Sequence, residues 1–308
     1  MKISIDILEN DIVSLDKKIL EILLKDRTSK KNIIWATDDY IYLGENFSPK
    51  KEICIETITG AYGNIIQPRA LKEKHEQTRR TKDKAEVFTP AWICNEQNNL
   101  VDECWFGRKN VFNIAKNKTW KTNTAKIQFP EKNKYKWYKY VDTKRLEISC
   151  GEAPYLVSRY DAVTGKMINL ADRIGLLDRK LRIVNEHTKD LSTWYNWTKR
   201  AFQSVYGYEY QGDSLLLARE NLLYTFIDNY KSKTNKPIPI KWLKEIATII
   251  SWNIWQMDGT TNMIPLYNEE YQQMDLFGNI EQDNIGQPCI IKDWRGKRKH
   301  VFKTLMKV

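Results

Sequence analysis

The segment Arg145-Leu-Glu-Ile-Ser-Cys-Gly-Glu-Ala-Pro-Tyr-Leu156 decides how the chain is read. Leu146 to Ser149 has the pattern of a short strand, Gly151 supplies a tight turn, and a helix is expected near Pro154 to Tyr160. Strand, turn and helix in that order make the unit of a parallel sheet, whose ligands bind beyond the carboxyl ends of the strands. Small residues in the turn let backbone approach a ligand closely. With one glycine and no Walker lysine, the turn is neither a dinucleotide fingerprint nor a P-loop.

Working downstream, a helical region is expected from Ala171 to Arg200, a strand from Ser204 to Tyr210 and a helix from Ser214 to Tyr230. Pro237 and Pro239 mark a break, helix follows to about Ile250, and Asn253 to Gln256 reads as a further strand. The alternation predicts an α/β fold with a parallel, doubly wound sheet, followed by a loop-rich tail after Thr260. Tyr206-Gly-Tyr-Glu-Tyr-Gln-Gly-Asp213 ends its strand in an acid, and a carboxylate there can accept ribose hydroxyls. Glu209 is preferred for that role because its following helix fits better than that of Asp178, in Arg173-Ile-Gly-Leu-Leu-Asp178. Asp258 ends the next strand, where it could accept an adenine amino group.

Upstream, Glu86-Val-Phe88-Thr89-Pro90 precedes a helix starting at Ala91-Trp92-Ile93, with Thr89 well placed to cap it. A helix N-terminus attracts carboxylate. Residues 1–84 read as an N-terminal α+β region, with a helix at Ser14 to Leu24, strands at Asn32 to Ala36 and near Ile53 to Ile58, and a charged helix from about Ala70 to Lys84. Residues 85–145 hold the Phe-Thr-Pro segment and a basic, aromatic-rich insertion of strands and loops; residues 146–308 form the sheet domain with a basic tail.

Charge points to a partner. Fifty Lys and Arg stand against thirty-nine Asp and Glu, and the excess is concentrated in three runs. Arg108 to Arg145 holds twelve basic and two acidic residues, interleaved with aromatics that include Trp137; the others are Arg69 to Lys84 and Lys292 to Lys307. Cations beside flat rings suit a polyanion whose bases can stack, so nucleic acid is expected, with Arg79, Arg80, Lys134, Lys136, Trp137 and Arg298 as candidate DNA contacts. The five cysteines form no CxxC pair and the three histidines are scattered, so neither a zinc site nor a disulfide framework is expected. Cys150 reads as a small buried residue under the turn rather than a nucleophile. The chain shows no signal-peptide h-region and no apolar stretch near bilayer length, so a cytoplasmic protein without membrane contact is expected.

At Val87–Pro90, Leu146–Gly151, Gly207–Leu223 and Asp258 the chain resembles the S-adenosylmethionine-dependent adenine-N6 DNA methyltransferases of restriction–modification systems, in their gamma-class order. It looks like bacterial proteins labelled restriction endonuclease subunit M. The resemblance implies a Rossmann-like class I methyltransferase sheet that is incomplete, and S-adenosylmethionine as cofactor. Thr89, Glu147 and Ser149 would hold its methionine end, with Phe88, Pro90 and Gly151 beside them; Glu209 would take the ribose and Asp258 the adenine amino group. Glu209 lies 58 residues beyond Gly151, against about 20 in a compact unit, which makes Ile174 to Arg200 an insertion. Ile148 replaces the usual proline.

The family's Asn-Pro-Pro-Tyr loop, which grips the flipped adenine, is missing: no two of the nine prolines are adjacent, and 50 residues follow Asp258. Catalytic residues therefore stay unassigned. The expectation is the cofactor-binding part of a split methyltransferase, with a second subunit carrying that loop. The alternative is a non-catalytic DNA-binding or regulatory protein on the same scaffold. A nuclease is disfavoured, because no Pro-Asp with Glu-x-Lys and no two-metal acidic cluster is present.

Overall fold

The computed structural model describes residues 5–84, 86–132, 136–267, 269–274 and 280–306. In chain order the elements are α1 (Glu9–Leu24), α2 (Lys74–Lys84), α3 (Ala91–Phe106), the strands β1 (Asn113–Lys116) and β2 (Thr119–Thr122), and α4 (Trp137–Asp142). Then follow β3 (Arg145–Glu147), α5 (Leu176–His187), α6 (Leu191–Gln203), β4 (Val205–Glu209), α7 (Gly212–Lys233), α8 (Ile240–Asn253) and β5 (Ile254–Gln256). Two hairpins close the chain, β6 (Glu269–Met274) with β7 (Ile280–Ile285) and β8 (Ile290–Asp293) with β9 (Arg298–Val301), before a short α9 (Phe302–Leu305).

The central sheet is parallel, in the order β3-β4-β5, with Glu147 opposite Gly207 and Glu209 opposite Gln256. Helices α5 and α6 form the crossover from β3 to β4, and α7 and α8 that from β4 to β5. Strand periodicity splits the side chains. Val205 and Ile254 join a core that runs without interruption from Ile7 to Ile254, whereas Tyr206, Tyr208 and Trp255 pack with Met257, Cys289 and Phe302 of the tail. The main core thus crosses the boundaries drawn at residues 84 and 145.

Helix α7 is buried on nearly all sides, with polar residues such as Asp213, Arg219 and Glu220 enclosed along with the apolar ones, so its apolar residues form no single stripe. Arg219 on it donates to carbonyls of Ile254 at 2.8 Å, Lys25 at 3.2 Å and Leu23, joining the ends of α1 and α8 to the sheet. At its start, a Cβ on Gly212 would lie 2.0 Å from the Ile34 carbonyl oxygen, so only glycine lets α7 dock on residues 32–36.

Several expected elements differ. Residues 153–157 form turns instead of a helix, because the amides of Tyr155 and Leu156 donate to Glu147 (3.1 and 3.0 Å) and their carbonyls accept from Leu176 and Leu177. A single turn closes locally, with Leu156 and Val157 donating to the Ala153 carbonyl at 3.1 and 2.9 Å, and these outside bonds keep it from extending into a helix. The long helical region breaks before Asp190, which caps α6 by accepting from the Thr193 amide at 2.8 Å. Asn32–Ala36 and the Ile53 region are extended segments joined by isolated bridges, with Gln256 supplying side-chain hydrogen bonds to both the N–H and the C=O of Ile34. The tail, expected as loops, folds into the two hairpins. Among the described residues no helix is long and apolar enough to cross a membrane.

Candidate functional site

A cleft of about 1240 Å³ opens at the carboxyl ends of β3 and β4. Phe88, Thr89, Glu147, Ser149, Gly151 and Glu209 all line it, though they come from three separate stretches of chain. The turn after β3 forms its floor. Cys150 continues the sheet by donating its amide to Tyr208 at 2.8 Å. Around it Ser149 (φ 45°), Gly151 (φ 50°) and Ala153 (φ 62°) take left-handed conformations. For Ser149 and Ala153 that strain costs on the order of 1–3 kcal/mol each, and such strain gathers where a turn must present its backbone.

The two acids are held by backbone. Glu147 is buried and its oxygens accept the Tyr155 and Leu156 amides; burial pushes its carboxyl up to about 8, with the Glu209 charge adding to the rise. Glu209 accepts from Gly151 at 2.8 Å on Oε2, and from Tyr210 at 2.9 Å and Gln211 at 3.2 Å on Oε1. Its pKa is raised by burial against the pull of those amides. A carboxylate offers about four acceptor positions, so three amides leave Glu209 about one for a ligand, and Glu147 keeps about two. The Phe88 ring lies over Gly151, 3.7 Å from where a Cβ would be, and the Arg69 guanidinium sits 5.1 Å from its centroid.

Thr89 lines the cleft but does not cap α3. Its N-terminal amide, on Ala91, donates to Asp161 Oδ2 at 2.7 Å, an acid brought in from a distant loop. Pro90 precedes the helix and Asp258 ends beyond β5, and neither lines the cleft. Asp258 turns into its own loop, accepting from the Thr260 hydroxyl at 2.6 Å and its amide at 2.8 Å. Asp178, the alternative acid, is buried at the start of α5 and accepts from Ser158 and Gly175, away from the cleft. Cys150 is buried, and burial pushes its thiol well up, as suits a packing residue.

Residues the motifs did not suggest also contribute. Thr37 and Asp38 from the N-terminal region, Asn98 from α3, and Tyr155, Tyr210 and Gln211 line the same cleft. The sequence signal for Tyr210 and Gln211 was their place just after the β4 acid; for Thr37 and Asp38 it was the polar end of a strand-like run.

The expected DNA contacts scatter. Arg80 is a correction: its side chain is 1% exposed, and the guanidinium binds Asp39 at 2.6 Å, Asp213 at 2.9 Å, Gln211 Oε1 at 2.6 Å and the Glu86 carboxylate. A group so enclosed cannot reach a phosphate. Arg79 is half exposed and pairs with Asp39 at 2.7 Å. Lys136 and Arg298 are exposed, at the start of α4 and on β9. Trp137 is half-buried, stacked on His187 at 5.3 Å and edge-on to Trp197 at 4.7 Å. Lys134 lies outside the described residues. Among the described residues no group of His, Cys, Asp or Glu could hold a metal ion.

No family model matches the chain, and neither a curated protein nor a solved structure matches it significantly. Fold and site define an α/β protein with a large cleft at the carboxyl ends of parallel strands.

Proposed function

We propose that this chain is the S-adenosylmethionine-binding part of a DNA adenine-N6 methyltransferase, and that a partner chain contributes the Asn-Pro-Pro-Tyr loop. The observation that carries the reading is the gathering of Phe88, Thr89, Glu147, Ser149, Gly151 and Glu209 around one cleft at the strand ends, where ligands of parallel sheets bind. The donor set suits the cofactor: a cationic ligand with a ribose diol meets two carboxylates, an aromatic ring and a turn that presents backbone. Glu147 would hold the methionine ammonium, with Thr89 and Ser149 beside it. Glu209 would accept one ribose hydroxyl at its remaining acceptor position, and Phe88 would cover the turn. S-adenosylmethionine supplies the methyl group when bound. The role of this chain is to bind it, orient it and exclude water around it.

A second reading draws on one observation. Glu209 is largely occupied by backbone amides, and Asp258 closes its own turn outside the cleft. A non-catalytic DNA-binding protein on the same scaffold would have that appearance. Calorimetric titration with S-adenosylmethionine separates the two. Saturable binding to the wild type that disappears in Glu147→Ala and Glu209→Ala, with folding preserved by circular dichroism, supports the cofactor reading. A flat titration of folded wild type removes it.

A further inference from the structure

We propose that Arg27, Lys292 and Lys299, gathered around Trp252, form a binding site for the phosphate backbone of a nucleic acid. The three cations come from separate parts of the chain: the turn after α1, strand β8 and strand β9. Their charged groups lie 5.9, 5.7 and 5.2 Å from the centre of the same indole, at the end of α8. Lys292 also sits 3.9 Å over Trp294, whose ring is fixed by donating to Asn253 Oδ1 at 2.7 Å. Arg27 is aimed by its Nε–H, which donates to the Ser251 hydroxyl at 2.8 Å.

The hairpin makes this arrangement unusual. Lys292 and Lys299 are directly opposite in the β8–β9 register, whereas the adjacent pair is Asp293 with Arg298. Opposed like charges destabilise a strand pair, and an acid at either position would relieve it. Among the described residues no carboxylate lies within 4 Å of Arg27, Lys292 or Lys299. The ammonium of Lys292 is held below its usual range by burial and then by the charges of Lys299 and Arg27. A tryptophan face offsets part of the repulsion, about 0.5–1 kcal/mol per exposed cation. A multivalent anion would offset this repulsion, since successive phosphates satisfy several cations at once while releasing counterions. The inference rests on the nucleic-acid part of the proposed function and not on the cofactor.

The test is fluorescence anisotropy of a labelled 20-base-pair duplex with the full chain, from 50 to 300 mM KCl. The patch variant is Lys292→Gln/Lys299→Gln, and Lys17→Gln/Lys18→Gln on α1 controls for net charge. The patch variant is expected to lower the slope of log K against log salt by about 2, the control by far less. An equal change in both, or none in the patch variant, overturns the proposal. So does a patch variant that keeps DNA affinity but loses vesicles containing 30% phosphatidylserine. Should the double variant fail to fold, Lys299→Gln alone, at an exposed strand position, is expected to remove about 1 from the slope. Cofactor titration of the wild type keeps the two readings apart: the patch can stand with the cofactor site empty, and the reverse.

Discussion

Replacing Arg80 by methionine tests whether this arginine is a structural cation. The substitution keeps most of the apolar stem and removes a guanidinium shared by Asp39, Asp213 and Glu86, whose side chains are 3%, 1% and 9% exposed. Arg79 and the Thr37 hydroxyl still compensate Asp39, and Glu86 lies at the cleft wall where water can reach it. Asp213 is left with Lys72 Nζ at 3.6 Å, the Tyr40 hydroxyl at 2.9 Å and the Ser214 amide at 2.8 Å. Removing one partner of a buried ion pair costs about 3–5 kcal/mol. The alternative is for Asp213 to take up a proton, which from an ordinary pKa of 3.8 costs about 4 kcal/mol at pH 7 and about 2 kcal/mol at pH 5.

The sign follows from the wild type, where Asp213 is held below its ordinary value; burial opposes this, but Arg80 and Lys72 outweigh it. A lowered carboxyl stabilises the fold above its unfolded pKa and loses that contribution as the solution becomes acid. The variant should therefore be less stable by about 4 kcal/mol at pH 7, with the gap narrowing toward pH 5. Urea unfolding followed by circular dichroism at both pH values measures it. A loss below about 1 kcal/mol together with weakened DNA binding would refute the reasoning and return Arg80 to the DNA surface.

Other outcomes follow from the same structure. Glu220 is buried on α7, with no hydrogen-bond partner on either carboxyl oxygen among the described residues, and burial plus Glu9 and Asp6 raises its pKa well above normal. A raised carboxyl lowers stability as pH climbs from its unfolded value toward its folded one, so Glu220→Gln should gain more in thermal melts at pH 8 than at pH 5; an equal gain at both would count against it. S-adenosylmethionine should bind several-fold more tightly at pH 8.5 than at pH 6.5, because Glu147, raised to about 8, must ionise to meet the ammonium; calorimetry showing no trend sinks that role. Gly212→Ala should destabilise by roughly 1–3 kcal/mol in urea, since its Cβ would meet the Ile34 carbonyl at 2.0 Å, and wild-type stability would show that α7 can shift.

The strand-turn segment from Arg145 and the acid-ended strand at Glu209 were legible because their signals are local: apolar strand residues, one glycine that takes a left-handed turn, and an acid placed before a helix. Those signals located β3, β4, β5 and the two carboxylates that share the cleft. They could not tell that the amides after Gly151 would go to Glu147 rather than to a helix, because that competition depends on a side chain eight and nine residues away. Nor could they separate a phosphate-binding arginine from a buried one. Arg79 and Arg80 are neighbours in sequence, yet one is half exposed beside Asp39 and the other is enclosed by three carboxylates, two of them, Asp39 and Asp213, from remote segments. The sequence by itself determined the alternation of strand and helix and the basic character of the chain, since both follow from residue type and spacing. Only the tertiary structure decided which charges are enclosed, which acid caps α3, and which cations meet around Trp252, because burial and long-range pairing arise when distant segments pack.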